Sequence, residues 1–195
     1  MTATHILFVA WQKADEKKAE AKAWANFKNK SNKNKSEDDT RSRYKVVVYK
    51  PKVTSQNLSK MQTGQIYILG HGAAGYGNIA DIDGTGGVEL NAQQVAERLI
   101  ESGLKPAFSG KIKCYNCHSA TSQNGKPAFA ALFAEEMRKR QYEHCQYFGY
   151  DSSISAAYTD SGLGGTHKHA LLKQDLDLER YLPIARAKEK REKMP

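Results

Sequence analysis

The chain has 195 residues, a formal net charge of +9, 39% hydrophobic residues and only three cysteines. This composition excludes a wholly disordered chain and a small disulfide-held domain, and the length suits one domain with a core of its own. No apolar run approaches the roughly 18–20 residues that a membrane span requires, so contact with a membrane is not expected.

Strand and helix patterns alternate along the chain. Apolar runs of strand length predict β-strands at residues 4–11, 44–50, 65–70, 111–116 and 145–150. Apolar residues at helical spacing predict helices at residues 15–28, 91–103 and 127–140. We expect Asn91 to cap the second helix, Gly103 to end it and Pro127 to lie in the first turn of the third.

Polar and glycine-rich segments predict the connections. They are an exposed basic and polar loop at 29–43, a flexible glycine-rich loop at 70–87, a polar loop at 121–126 and a turn at 162–165. Residues 170–182 are compatible with either a helix or a β-hairpin arm. The alternation predicts a single α/β domain over residues 1–182, with a mostly parallel central sheet flanked by helices on both faces. Residues 183–195 are expected to form a basic, frayed tail.

The basic excess lies at the periphery of the sequence. Residues 12–60 hold 14 Lys or Arg and 6 Asp or Glu, residues 183–195 hold 5 and 2, and residues 61–182 hold 11 and 13. Surfaces that stack nucleic-acid bases interleave aromatic with basic side chains, and aromatic residues are sparse in these basic segments. We therefore interpret the charge as a solvated helix face, a loop and a tail, and we do not expect a nucleic-acid partner.

The first apolar run, at residues 6–11, has no basic segment before it and no cleavage site after it. This pattern is typical of a buried strand rather than a signal peptide. Together with the low cysteine count, it leads us to expect a cytoplasmic protein, or one exported by a route that needs no signal peptide.

A histidine and a cysteine each follow a predicted strand, at His71 and Cys117. In open α/β sheets, ligands bind beyond the carboxyl ends of the strands. A single crossover helix joins these two strands, so we expect them to be neighbours about 4.8 Å apart, with the two side chains facing one crevice. An imidazole can activate a thiol for attack on a carbonyl, and the backbone N–H groups of Gly72 and Cys117 are placed to bind the resulting oxyanion.

This order of strand, His-Gly, crossover helix, strand and Cys resembles the caspase-like (clan CD) cysteine peptidases. The 46-residue separation of His71 and Cys117 is near the roughly 50 expected for caspases. The cysteine protease domains of bacterial RTX toxins are the most similar, because their Cys is also followed within two residues by Ser, here Ser119. Two flanking residues depart from these patterns: Asn116 precedes the cysteine and His118 follows it.

The resemblance implies a caspase-like three-layer sandwich with His71 as general acid/base and Cys117 as nucleophile. It implies cleavage of protein or peptide substrates without a metal or other cofactor, in a bacterial effector or toxin component. Toxin domains of this kind are switched on by inositol hexakisphosphate, but the basic residues of this sequence form no recognisable pocket, and we predict none. The resemblance gives no oligomeric state.

Three further sets of residues are weaker candidates. Asp151 follows the fifth strand, where caspase-like peptidases draw part of their S1 pocket, so its carboxylate is either a determinant for a basic P1 residue or a turn aspartate. His167 and His169 suit a solvated hairpin better than a metal site. Asp81 and Asp83 suit turns better than a cation site.

The same region admits rival hypotheses. Residues 114–118 form a C-x-x-C-H pattern, as in c-type haem attachment or, less closely, a redox pair. Zinc bound by Cys114, Cys117, His118 and Cys145 is chemically possible. However, Cys114 and Cys117 are an odd number of residues apart on a strand, which predicts Cys114 in the core and Cys117 at the tip. The other rival is a catalytically inactive caspase-like module whose basic arm binds an acidic protein or nucleic acid.

Overall fold

A computed structural model describes residues 4–33, 42–82, 86–155, 159–160, 166–175 and 180–195. The strands are β1 (Thr4–Val9), β2 (Arg43–Val48), β3 (Gln65–Leu69), β4 (Asn78–Ala80), β5 (Glu89–Asn91), β6 (Lys111–Tyr115), β7 (Gln146–Tyr150), β8 (Ser153–Ile154), β9 (Thr159–Asp160), β10 (Thr166–His167), β11 (His169–Asp175), β12 (Arg180–Arg186) and β13 (Arg191–Lys193). The helices are α1 (Asp15–Lys33), α2 (Gln56–Ser59), α3 (Ala92–Glu101) and α4 (Phe129–Lys139), with a 3-10 turn at Ala187–Lys190.

The central sheet has six strands in the order β13-β7-β6-β3-β1-β2. All neighbouring pairs are parallel except β13 with β7, which is antiparallel. The predicted α/β arrangement with a mostly parallel central sheet is therefore confirmed. Because the parallel strands share one direction, the segments that follow β1, β3, β6 and β7 meet at the same edge of the sheet.

Helices cover both faces of the sheet. On one face, Trp24 of α1 packs edge-on against Tyr67 and Tyr115, with ring centroids 4.8 and 4.7 Å apart. On the other face, Phe133 of α4 packs against Tyr147. Tyr147 lies opposite the residue that precedes Lys113 on β6, and successive residues of a strand point to opposite faces, so Tyr147 points away from α1. Burial of each such side chain stabilises the fold by roughly 1.5–3 kcal/mol.

The helix ends follow the expected chemistry with one exception. Asn91 accepts a hydrogen bond from the Gln94 N–H in a complete capping box, and Gly103 ends the helix at φ +108°, where a side chain would be strained. The exception is Pro127, which lies outside α4, since Ala128 is the N-cap.

Helix α1 is longer than predicted, because residues 29–33 of the predicted loop are helical. Asn29 explains part of this extension: its side chain accepts from the Tyr44 N–H and donates to the Tyr44 carbonyl, both at 2.9 Å. These two bonds occupy backbone groups on the outer edge of β2, with which no further strand pairs within the described residues. Residues 34–41 of the predicted loop lie outside the described residues.

The C-terminal region departs most from the sequence expectation. The hairpin alternative for residues 170–182 is correct, since β11 pairs antiparallel with β12. The tail expected to fray instead ends in β13, which pairs with β7 from Arg191 opposite Tyr150 to Lys193 opposite Phe148. Met194 is only 6% exposed beside this strand. No helix within the described ranges is both long and apolar enough to cross a membrane.

Candidate active site

His71 and Cys117 follow two adjacent strands. β3 and β6 form a parallel pair that ends with Leu69 opposite Tyr115, so each of the two residues comes two positions beyond its strand. The expectation that these strands are neighbours is confirmed. The two following segments also touch, because a Cβ atom on Gly72 would lie 2.8 Å from the Cys117 carbonyl oxygen. Glycine is therefore required at position 72 by the cysteine backbone itself, and not only by an approaching peptide.

The backbone of His71 is fixed by a short hairpin. Its N–H donates to the Ala80 carbonyl at 2.9 Å, and the Ala80 N–H donates back at 3.0 Å. Ala80 belongs to β4, which lies within the segment expected to be a flexible glycine-rich loop and pairs with β5 beyond that segment. That expectation is wrong for residues 78–80, because backbone pairing orders them regardless of the surrounding glycines.

Glu16 contacts the His71 ring, and sequence reasoning missed it. Its Oε1 lies 3.0 Å from His71 Nε2, and this hydrogen bond lowers the pKa of Glu16. An ionised carboxylate only accepts hydrogen bonds, so Nε2 carries the hydrogen and Nδ1 is left as the acceptor. No local pattern in the sequence marks Glu16, because it comes seven residues after β1 and reaches His71 only since β1 lies next to β3.

Cys117 is half-buried between that edge and the segment after β7. The Ile154 N–H points at its Sγ from 3.4 Å, and the Ile154 carbonyl oxygen lies 3.9 Å from the same atom. The next residue, His118, adopts φ +52°, and its N–H donates to the Ser152 carbonyl. The segment after β7 thus lies against Cys117, as Gly72 does from the segment after β3.

Ser119 holds the ends of β6 and β7 together beyond their last ladder pair, which is Lys113 with Phe148. Its hydroxyl donates to the Cys114 carbonyl at 2.8 Å and accepts from the Tyr150 N–H at 3.0 Å, while the residue is only 1% exposed. The serine named in the family resemblance therefore acts on the backbone that carries Cys117.

Asp151 lies in the segment after β7, and both its carboxylate and its backbone already have partners. Its carboxylate accepts from the Ser152 hydroxyl at 2.8 Å and lies 3.7 Å from the Lys190 ammonium. Its backbone N–H donates to the Lys190 carbonyl. The role of Asp151 in an S1 pocket stays a prediction.

The other two cysteines have surroundings that differ from those of Cys117. Cys114 is 1% exposed in the core, where burial raises the pKa of its thiol, as the strand parity predicted. Cys145 precedes β7 at the opposite edge of the sheet, with its Sγ 3.2 Å from the Phe108 carbonyl oxygen. The rival zinc set is therefore spread over both edges. The described residues contain no group of three or more His, Cys, Asp or Glu able to hold a metal ion.

The remaining weak candidates are two aspartates and two histidines, which lie in different parts of the chain. Asp81 is buried and accepts from the Val88 N–H at 2.7 Å, as a turn aspartate does. Asp83 lies outside the described residues. His167 and His169 lie on β10 and β11 respectively.

A basic cavity of about 180 Å³, absent from the sequence analysis, opens on the α1 face of the sheet. Its walls combine aromatic and cationic side chains: Trp24, Tyr44, Tyr67, Tyr115 and Tyr150 with Lys28, Lys113, Lys168, Arg186, Lys188 and Arg191. Burial lowers the pKa of Lys113 to about 7 and that of Lys168 to about 8. No local motif predicts this cavity, because its lining comes from α1, four strands of the sheet and the C-terminal region.

A larger cavity of about 590 Å³ lies between the C-terminal ends of α3 and α4. Glu97 and Arg140, which form a 3.0 Å ion pair, are among its lining residues. It contains none of the predicted site residues. Since α3 runs back from the sheet edge that carries His71, this cavity lies at the opposite edge.

Comparison of the chain with protein-family models, with curated proteins and with solved structures gave no match.

Proposed function

We propose that this chain is a caspase-like cysteine endopeptidase, with Cys117 as nucleophile and His71 as general acid/base. The observation that supports it most is the contact of the two segments after β3 and β6, where Gly72 lies against the Cys117 carbonyl. The proposal takes the His71 imidazole and the Cys117 thiol, which follow neighbouring strands, to face one another at the sheet edge where α/β proteins bind ligands.

In the proposed reaction, His71 Nδ1 takes the thiol proton of Cys117, the sulfur attacks the scissile carbonyl and the C=O π electrons move onto oxygen. The Gly72 and Cys117 backbone N–H groups stabilise that oxyanion. Collapse breaks the C–N bond, and His71 gives a proton from Nδ1 to the leaving amine. Water then attacks the thioester, His71 takes its proton, and the C–S bond breaks to release the acid.

Glu16 has a positioning role in this proposal. Its contact with Nε2 fixes the tautomer in which Nδ1 exchanges protons, and its negative charge stabilises the imidazolium that forms when Cys117 ionises. A carboxylate with this function acts through the imidazole and does not touch the substrate.

The substrate of this proposed enzyme is a protein or peptide lying across the crevice, in keeping with a bacterial effector or toxin component. Asp151 is a candidate determinant for a basic P1 residue. Such a residue would replace Lys190 as its cationic neighbour.

The test compares two cysteines that lie three positions apart, Cys114 and Cys117. Cys117→Ala is expected to abolish cleavage of a mixed-sequence fluorogenic peptide library and any self-cleavage. Cys114→Ala is the matched control, because its thiol lies in the core and its loss changes stability but not the crevice. Equal loss of cleavage in both folded variants would contradict the peptidase proposal and favour chemistry that uses the C-x-x-C-H pattern.

A second candidate function is the binding of a polyanionic effector, which the basic cavity favours. Six cationic side chains line it, and the toxin domains that this chain resembles are activated by inositol hexakisphosphate. Calorimetry with inositol hexakisphosphate is expected to show binding that weakens steeply with salt and is lost in Arg191→Gln. The control is Lys60→Gln, remote from the cavity; equal binding by both variants would contradict this assignment.

A further inference from the structure

Lys113 lies on the floor of the basic cavity without a counter-ion. It is 4% exposed, and its Nζ lies 3.2 Å from the Tyr67 hydroxyl and within hydrogen-bond distance of the Gln65 side chain. Both partners are uncharged, and no carboxylate of the described residues forms an ion pair with it. Arg191 and Lys111 are the charged neighbours that act on it, and both are cationic.

The second buried lysine of the cavity has a different environment. Lys168 lies 3.6 Å from the Glu20 carboxylate, and its Nζ lies 3.9 Å from the centre of the Trp24 ring. A carboxylate and an aromatic face both favour the ammonium form. Lys113 also lies over an aromatic face, with its Nζ 4.7 Å from the centre of the Tyr67 ring, but it has no carboxylate partner among the described residues, so of the two its free amine is the more favoured.

Burial and the neighbouring cations bring the pKa of Lys113 to about 7, so about half of its amine is unprotonated at neutral pH. An exposed lysine with a pKa near 10.4 has well under about 0.1% free amine at the same pH. An unprotonated amine surrounded by cations is the arrangement that enzymes use when a lysine must attack a carbonyl.

We propose that Lys113 captures a small phosphorylated aldehyde as an imine within the basic cavity. The Nζ lone pair forms a C–N bond to the aldehyde carbon, and the C=O π electrons move to oxygen. Proton transfer from nitrogen to oxygen gives a carbinolamine, and loss of water leaves the imine. The step consumes one amine and one aldehyde, releases one water, and needs neither an oxidant nor a reductant.

The rest of the cavity suits such a ligand. Arg186, Lys188 and Arg191 supply positive charge for a phosphate group, and the tyrosine rings supply flat walls for a small ring. A volume of about 180 Å³ accommodates a molecule of one ring with its substituents. This covalent site uses neither His71 nor Cys117, so it stands whether or not the chain is a peptidase.

The test uses pyridoxal 5′-phosphate as the probe, followed by borohydride reduction and peptide mapping. Modification of Lys113 is expected to be at least about 10-fold faster than that of any other lysine, because its larger free-amine fraction outweighs its weaker basicity. Lys113→Arg is expected to abolish the fast phase while keeping a cation in place. The matched control Lys111→Arg, on the same strand but exposed, is expected to retain the fast phase of modification at Lys113.

5′-Deoxypyridoxal, which lacks the phosphate and has no hydroxyl to close onto its aldehyde, tests whether the cavity selects an anion and is expected to react at least about 10-fold more slowly. Three outcomes would overturn the proposal: labelling spread evenly over surface lysines, labelling of Lys168 ahead of Lys113, or equal rates for the two aldehydes. If Lys113→Arg does not fold, peptide mapping of the unaltered protein with and without pyrophosphate as competitor decides the question alone. Protection of Lys113 by pyrophosphate supports the proposal, and its absence overturns it.

Discussion

His71 is held at two points, each by a different part of the chain. Its backbone pairs with Ala80 of β4, and its ring contacts Glu16 at the start of α1. The backbone pairing places the residue, while the carboxylate selects which ring nitrogen carries the hydrogen. A change at Glu16 therefore alters the chemistry of the imidazole without removing it from the crevice.

Replacing Glu16 with Gln is expected to lower kcat/KM of the proposed peptidase by about 10- to 100-fold, with little change in stability. The reason is that a neutral amide no longer stabilises the imidazolium, so the pH profile of kcat/KM also shifts. The measurement is a pH-rate profile on a cleaved peptide.

Asp15→Asn is the matched control for that profile. Asp15 is the neighbouring first-turn acid, and its carboxylate pairs with Lys18 rather than with His71. If both variants lose kcat/KM equally and neither shifts its pH profile, the loss comes from the charge at the start of α1 and not from the contact of Glu16 with His71.

At the residue scale, sequence reasoning found the residues that follow buried strands and missed those whose position depends on packing. His71, Gly72 and Cys117 could be placed because an apolar strand immediately precedes each segment. Glu16 required the knowledge that β1 lies next to β3. Lys113 lies within a strand predicted to be buried, but nothing local shows whether its side chain enters the core or a cavity.

Among the elements, α1 connects the candidate active site with the basic cavity. Its first turns carry a series of ion pairs: Lys17 lies 3.5 Å from Glu16 and 2.8 Å from Glu20, and Glu20 lies 3.6 Å from Lys168. Lys17, Glu20 and Lys168 are mostly buried, so their pairs are little screened by solvent, whereas the Glu16 side chain is 52% exposed. One helix thus presents a carboxylate to His71 at its start and an aromatic and basic wall to the cavity about two to three turns later.

β13 is the element of the central sheet that no sequence pattern predicted. Its three residues, Arg191, Glu192 and Lys193, are charged, as is common in edge strands, and they resemble a solvated tail. The backbone pairing with β7 is independent of side-chain polarity, so the pattern of hydrophobic residues gave no signal for it. Only Met194 marks the attachment.

Met194→Ala is expected to lower the free energy of unfolding by about 2 kcal/mol or more, because it removes a buried side chain at the end of β13. Urea denaturation measures this loss. Lys193→Ala serves as the control, since Lys193 is exposed and its change should fall within about 0.5 kcal/mol. Equal stability of the two variants would mean that β13 does not anchor the C-terminus.

At the scale of the whole molecule, the fold brings together charges that are far apart in sequence. Lys28 comes from the basic N-terminal segment and Arg186, Lys188 and Arg191 come from the C-terminal one, yet all four line one cavity with Lys113. The basic excess lies towards the two ends of the sequence. That the two ends meet does not follow from the sequence, because it depends on β13 pairing with β7 of the central sheet.

This convergence makes stability depend on pH. The unfolded chain keeps Lys113 protonated up to about pH 10.4, whereas the folded chain releases its proton near pH 7. The unfolded state therefore binds more protons between these values, and the free energy of unfolding rises with pH by up to about 1.4 kcal/mol per pH unit for each such group. Lys168 adds to the rise from about pH 8 upward.

Urea denaturation at pH 7, 8 and 9 is expected to show a rise attributable to Lys113 of about 2 kcal/mol over this range. Lys113→Met removes that part of the slope, and Lys111→Arg, on the same strand but exposed and still cationic, leaves it unchanged. A flat or falling profile in the unaltered protein would contradict the assigned ionisation of Lys113.

The central claim is that His71 activates Cys117, and the most direct measurement is the rate of Cys117 alkylation by iodoacetamide as a function of pH. In the unaltered protein, we predict that Cys117 reacts at pH 6 about 100-fold faster than an ordinary thiol, because a neighbouring imidazolium favours its thiolate. His71→Ala is predicted to lower this rate by at least about 10-fold while Cys114 stays unreactive in both proteins. An unchanged Cys117 rate in folded His71→Ala would show that the two residues do not act as a pair.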